Sequence, residues 1–152
     1  MRKFPSIMMS VLFLLLAGCA SYGPARGSDD ARAVLGMLER GDAEALRAAA
    51  GSPFLFETEV LPSPAQAAAL FEALGGSGFS FAPAAEPVIL PVDDRTREMF
   101  SSSADARVFF ARDLPPGALW ASVPVEDGRL ILLLGRARRV PGYFWGLKVE
   151  NE

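Results

Sequence analysis

The chain has 152 residues, 51% of them hydrophobic, with 15 basic against 18 acidic side chains and a formal charge of −3. It contains no histidine and a single cysteine, which excludes Ser–His–acid and Cys–His catalysis and any His-ligated zinc or iron centre. The acidic balance argues against a nucleic-acid partner, because counterion release on a phosphate backbone needs a basic surface.

Arg2 and Lys3 open the chain, residues 7–16 form an apolar run, and Leu16-Ala17-Gly18-Cys19 closes it. A transmembrane helix needs about 20 apolar residues; this run is shorter and is interrupted by Ser10. Small residues at 17 and 18 would let a peptidase reach the bond before Cys19. The segment resembles the lipobox of bacterial lipoprotein precursors. That resemblance implies a signal peptide over 1–18, lipid on Cys19 and attachment to the bilayer through that residue. Ala20, where an Asp would imply retention at the inner membrane, implies an outer-membrane address facing the periplasm or the cell surface. Cleavage leaves 134 residues with 13 basic and 18 acidic side chains, a formal charge of −5 on one ordinary domain. Lys148 is then the only lysine.

Residues 19–29 comprise the lipidated cysteine and a Gly-, Ser- and Pro-rich tether, and 30–152 a single domain. At 3.3–3.6 Å per residue, the nine residues 20–28 reach at most roughly 30 Å, which keeps the domain near its membrane. Asp29 or Asp30 can cap a helix carrying Ala31, Leu35 and Leu38 on one stripe. Gly41 interrupts it, Asp42 can cap a second segment, and Gly51 can terminate that one. Residues 54–61 read as one strand between Pro53 and Pro62. Ser63-Pro64-Ala65-Gln66 is a capping box with proline at N1, and Ala67, Leu70, Phe71 and Leu74 follow at helical spacing, which predicts a helix over 64–74. Short apolar runs at 79–81 and 88–92 read as strands or edge segments. Residues 94–100 are ambiguous, and 104–112 lean towards helix. Three strands at 118–125, 129–139 and 143–149 predict an antiparallel meander. A four-residue turn over 126–129 would place Pro124 at a site where no N–H is needed, and Pro141-Gly142 would make the second turn.

These elements make an α+β domain, with N-terminal helices packed on a curved antiparallel sheet that ends in a β-meander. In element order alone, over roughly residues 30 to 150, this resembles the NTF2-like (cystatin-like) cone fold. Members of that fold often hold an apolar pocket and many serve binding rather than catalysis.

Three segments could carry chemistry. Glu57 and Glu59, alternating in a strand, would project from one face about 7 Å apart, a spacing open to a paired-carboxylate hydrolase or part of a calcium site; two solvated glutamates on a half-buried strand is the simpler reading. Asp93-Asp94-Arg95 lacks the alternating oxygen ligands of a calcium loop and reads as a charged turn with Asp94 capping a helix. In the last hairpin, a Pro141-Gly142 turn would set Arg138 opposite Trp145 and Ala137 opposite Gly146. Gly135, Ala137 and Gly146 would then share a face of small side chains, open to a packed helix (64–74 foremost) or to a ligand or partner. Arg138 would lie on the Trp145 ring as a cation–π pair. The expected function is therefore a membrane-anchored, non-enzymatic binding or assembly module for an envelope protein or a small apolar ligand, with no cofactor, metal or catalytic residue. The competing expectation is a carboxylate-dependent hydrolase acting on an envelope glycan through Glu57 and Glu59.

Overall fold

A computed structural model describes residues 21–100 and 102–151; Cys19 and the lipobox lie outside the described residues. The first helix, α1 (Pro24–Arg40), begins inside the segment expected to be tether. Pro24 stands at its N1 position, where the missing N–H costs nothing. Gly27 is buried against Leu119 and Ile89, so the first turn is packed rather than free. Asp30 is likewise no cap: it lies in the helix interior on the stripe with Val34 and Leu38, all buried. Gly41 ends α1 in the left-handed region at φ 62°, with N–H bonds from Gly41 to Leu38 and from Asp42 to Met37 closing the turn. Asp42 then accepts from the Ala45 amide at 3.0 Å to start α2 (Ala43–Ala49), as its position predicts.

Residues 54–61 form a hairpin instead of one strand. Strand β1 (Ala50–Phe56) turns at Glu57 and Thr58 into β2 (Glu59–Leu61), pairing Phe54 with Leu61. Glu57 adopts φ 54°. Its own N–H donates to the Leu147 carbonyl at 2.9 Å, and its carboxylate accepts from the Val149 amide at 2.8 Å. These two bonds stabilise a conformation that a β-carbon disfavours. Gly51 lies within β1 rather than ending α2. The capping box forms as read, with Ser63 and Gln66 bonded reciprocally at the start of α3 (Pro64–Gly75).

Residues 79–81 form no strand; the Phe79 and Phe81 rings, 4.8 Å apart, pack against the core instead. Strand β3 (Val88–Pro91) precedes α4 (Asp94–Phe100). Asp93, not Asp94, starts that helix, since Asp93 and Thr96 bond each other's backbone amide through their side chains. Those bonds, chiefly the Thr96 amide, hold the Asp93 carboxyl below its ordinary range. Helix α5 (Ala104–Val108) runs directly into a π-helical turn (Phe109–Asp113) that buries Phe109 and Phe110 together.

The meander consists of β4 (Leu119–Val125), β5 (Gly128–Leu134) and β6 (Phe144–Asn151). Val125 pairs with Gly128 across a two-residue Glu126-Asp127 turn, shorter than the expected four-residue one. Pro124 is nonetheless accommodated for the anticipated reason. Its carbonyl accepts from Ala84, so that edge of the residue, its nitrogen included, points away from β5.

The sheet order is β2-β1-β6-β5-β4-β3, and β6 runs parallel to β1. The sheet is therefore mixed rather than wholly antiparallel. Leu130 to Leu134 of β5 are all buried, and a strand buried on both sides belongs at the centre of a sheet covered on both faces. On one face α1, α2 and α3 enclose Phe54, Phe71 and Phe144, with Phe54 edge-on to the other two rings at 5.3 and 5.0 Å. On the other, Phe100, Phe109 and Phe110 cover Leu55, Ile131, Leu133 and Trp145.

Two glycine substitutions should separate close packing from helix propensity. A β-carbon at Gly51 would stand 2.3 Å from the Trp145 ring, so Gly51→Ala is expected to cost about 1–3 kcal/mol. A β-carbon at Gly36 meets only the flexible end of Arg40, so Gly36→Ala should gain up to about 1 kcal/mol. Urea melts of the two variants check both signs.

Candidate functional site

The residues expected to form one small-side-chain face are separated by the register. Leu134 pairs with Phe144 and Leu133 with Gly146, which leaves Trp145 as the extra residue of a β-bulge. Gly146 thus faces Leu133 rather than Ala137. A β-carbon on Gly146 would meet the Leu133 side chain at 2.8 Å and the Leu55 carbonyl at 2.9 Å. Gly135 is closed by Pro115 and Ala118. The cover on this face comes from the 94–113 helices, while α3 packs on the opposite one.

Trp145 is buried, with its indole N–H donating to the Gly135 carbonyl at 3.0 Å. It is therefore not a surface partner for Arg138. The cation–π pair in this region is Arg136 over Tyr143, 4.5 Å from the ring centroid. The turn also differs from expectation. Ala137 bridges Val140, which puts Arg138 and Arg139 at the tip, Arg139 at φ 63°. Pro141-Gly142 instead leads into Tyr143, whose amide donates to the Ala49 carbonyl at 2.8 Å.

The most organised polar cluster joins this connection to the start of α1. Arg136 makes a two-pronged bond to Asp30, Nε to Oδ2 at 3.0 Å and Nη2 to Oδ1 at 2.7 Å. Tyr22 donates its hydroxyl to the same carboxylate at 2.9 Å. Asp30 is only 6% exposed, so three charge-assisted bonds replace the water it loses. Burial, then the bond to Asp30, pushes the Tyr22 phenol well above its ordinary value. Burial raises Tyr143 as well, and the bond to Asp30 holds Arg136 all the more firmly protonated.

Beside the cluster runs a groove of about 410 Å³ lined by Tyr22, Arg26, Arg136, Arg138, Val140 and Pro141, among others. Arg136 is neutralised by Asp30. No hydrogen bond or ion pair among the described residues engages the side chain of Arg26, Arg138 or Arg139. The groove can thus attract anions but presents no nucleophile paired with a base. No group of acidic or cysteine side chains able to hold a metal occurs among the described residues. Sequence reasoning missed Asp30 as a functional position, although its place in a four-residue repeat with Val34 and Leu38 was a usable signal. Nothing local in the sequence pairs it with Arg136, 106 residues away.

Glu57 and Glu59 do not share a strand face. Glu57 sits in the turn with its carboxylate on the Val149 amide, and Glu59 is exposed at the start of β2. Compared with family models, curated proteins and solved structures, the chain matches none of them.

Both tyrosines of the chain are held neutral, so tyrosinate absorbance should lag behind the ordinary midpoint near 10. The linkage sign follows. A raised folded-state value contributes stability below about pH 10 that is lost as pH rises through it. Tyr22→Phe should flatten this alkaline loss. Arg136→Gln leaves Asp30 buried without its cation and should cost about 2 kcal/mol, less than for a fully buried pair because the Arg136 side chain is 37% exposed. Asp30→Asn added to it should recover part of that cost in denaturant melts.

Proposed function

We propose that this protein is an envelope lipoprotein, held to the bilayer by lipid on Cys19, whose α+β domain binds or organises a partner protein and performs no chemistry of its own. The observation that carries this reading is how near Cys19 in the chain the packed residues lie. Tyr22, three residues beyond Cys19, is already bonded to Asp30, and α1 begins at Pro24. Three residues span at most about 10 Å, so lipid on Cys19 would hold the domain directly against the membrane surface, outer-membrane in this reading.

A protein partner is better supported than a small apolar ligand. The space beside Gly135 and Gly146, expected to be open to a ligand, is filled by Leu133, Leu55, Ala118 and Pro115. Glu57 is tied to the Val149 amide, which supports a structural role for it over a hydrolytic one.

Cys19→Ser should move the protein from the membrane to the aqueous fraction, since buried acyl methylenes contribute about 0.8 kcal/mol each. Mass spectrometry finding the mature chain with an unmodified Cys19 would overturn the anchor. Glu57→Gln should weaken its hold on the Val149 amide and cost about 1 kcal/mol, whereas Glu59→Gln should be neutral in the same melts. Hydrolysis of envelope glycan strands by the purified protein, abolished by both substitutions, would reinstate the enzyme.

A further inference from the structure

The sheet has two electrostatically different ends. Leu119, Leu134 and Phe144 pair at one end, where the 135–143 connection and the start of α1 meet; Val125, Gly128 and Asn151 pair at the other. Seven-residue strands put roughly 20 Å between them. At the first end Arg26, Arg138 and Arg139 have no ion partner among the described residues, and Arg47 lines the adjoining groove with Val140 and Pro141. Of the acids at this end, Asp30 is held by Arg136 and Asp29 by Arg32 at 3.5 Å, while Asp113, two residues before the Pro115 that covers Gly135, has no ion pair among the described residues. Asp93 and Asp94 follow β3 at the same end, since Pro91 pairs with Leu119; Arg97 pairs with Asp94, and Asp93 keeps its charge, bonded to the Thr96 amide and hydroxyl. The opposite end carries Glu126 and Asp127 in its turn and Glu57 beside Val149.

We infer that the arginine-bearing end, with Val140 at its tip, rests on the anionic headgroups of the same bilayer that holds Cys19 and so orients the domain with its acidic end outward. The inference rests on the lipid-anchor reading and adds an orientation to it. Two observations commit the surface to a membrane rather than to another partner. The chain reaches this end at Tyr22, which lines the groove with Arg26 and Arg138, so an anchor at Cys19 lies within about 10 Å of it. The charge here is positive on a mature chain whose formal charge is −5. With a Debye length of about 8 Å in physiological salt, the arginines at an anchored end fall inside the field of the bilayer and the far carboxylates outside it. Val140, 43% exposed beside them, adds an apolar contact at headgroup depth.

Lipid on Cys19 occupies the only thiol of the chain, so Val140→Cys and, at the far turn, Asp127→Cys each create one labelling position. Nitroxide-labelled mature protein is reconstituted in vesicles of phosphatidylglycerol and phosphatidylethanolamine, and in phosphatidylcholine for comparison. The label at 140 should be shielded from a water-soluble nickel chelate on the anionic vesicles, and the label at 127 should stay accessible. High salt should reverse the shielding. One basic residue near such a surface biases docking about five-fold. Arg26→Glu, Arg138→Glu and Arg139→Glu together should therefore lower the docked-to-undocked ratio by about 100-fold or more, with the near-ultraviolet signal of buried Trp145 confirming the fold.

Equal accessibility at 140 and 127, with lipid shown on Cys19 by mass, would overturn the orientation and leave the anchor standing. An unmodified Cys19 would overturn both. Equal shielding on phosphatidylcholine would overturn the charge-based contact. Dipolar broadening between labels at 140 would assign this end to a second copy of the chain.

Discussion

Five consecutive residues of β5, Leu130 to Leu134, must all be kept from water, and the rest of the architecture answers that demand. Alternating side chains of a strand point to opposite faces, so one cover cannot suffice. Leu130, Leu132 and Leu134 face the α1–α3 layer, while Ile131 and Leu133 face the layer made by α4, α5 and the π-helical turn. Each such side chain contributes about 1.5–3 kcal/mol relative to exposure. β5 must therefore be flanked by strands on both edges, and β6 provides one flank by lying between β5 and β1.

Having a single central strand covered twice creates the need for β6 to serve two partners. It pairs antiparallel with β5 and parallel with β1, and the bulge at Trp145 reconciles the registers. The indole fills the space over Gly51 and bonds the Gly135 carbonyl. The same few residues thus fix the end of β5, the start of β6 and the start of β1. The 135–143 connection, pinned there, carries Arg136 to Asp30 and projects Arg138 and Arg139 past it.

The Asp30–Arg136–Tyr22 cluster links this connection to the start of α1. A two-pronged guanidinium–carboxylate pair fixes orientation as well as distance. It therefore sets the angle at which α1 leaves the chain segment that follows Cys19. In the lipoprotein reading, that cluster transmits the position of the anchor to the whole domain, and Arg26, Arg138 and Arg139 beside it bias which end faces the lipid.

The capping box at Ser63, the Asp42 cap, the stop at Gly41 and the α+β class were legible in the sequence because each depends on neighbouring residues or on a short repeat. The long helix starting at Pro24 was obscured by residues of loop-like composition, whose small side chains instead let α1 pack closely on Ile89 and Leu119. Tertiary structure alone decided the turn at Glu57 and the parallel pairing of β6, whose bonds join residues about ninety positions apart, and the bulge at Trp145, which depends on β6 serving β5 and β1 at once. It also dispersed Gly135, Ala137 and Gly146, since one extra residue in a strand changes every face that follows it. By itself the sequence determined the local helix signals and the apolar strands; only the folded chain could decide that Asp30 meets Arg136, because that pair is made by packing, with no local spacing to announce it.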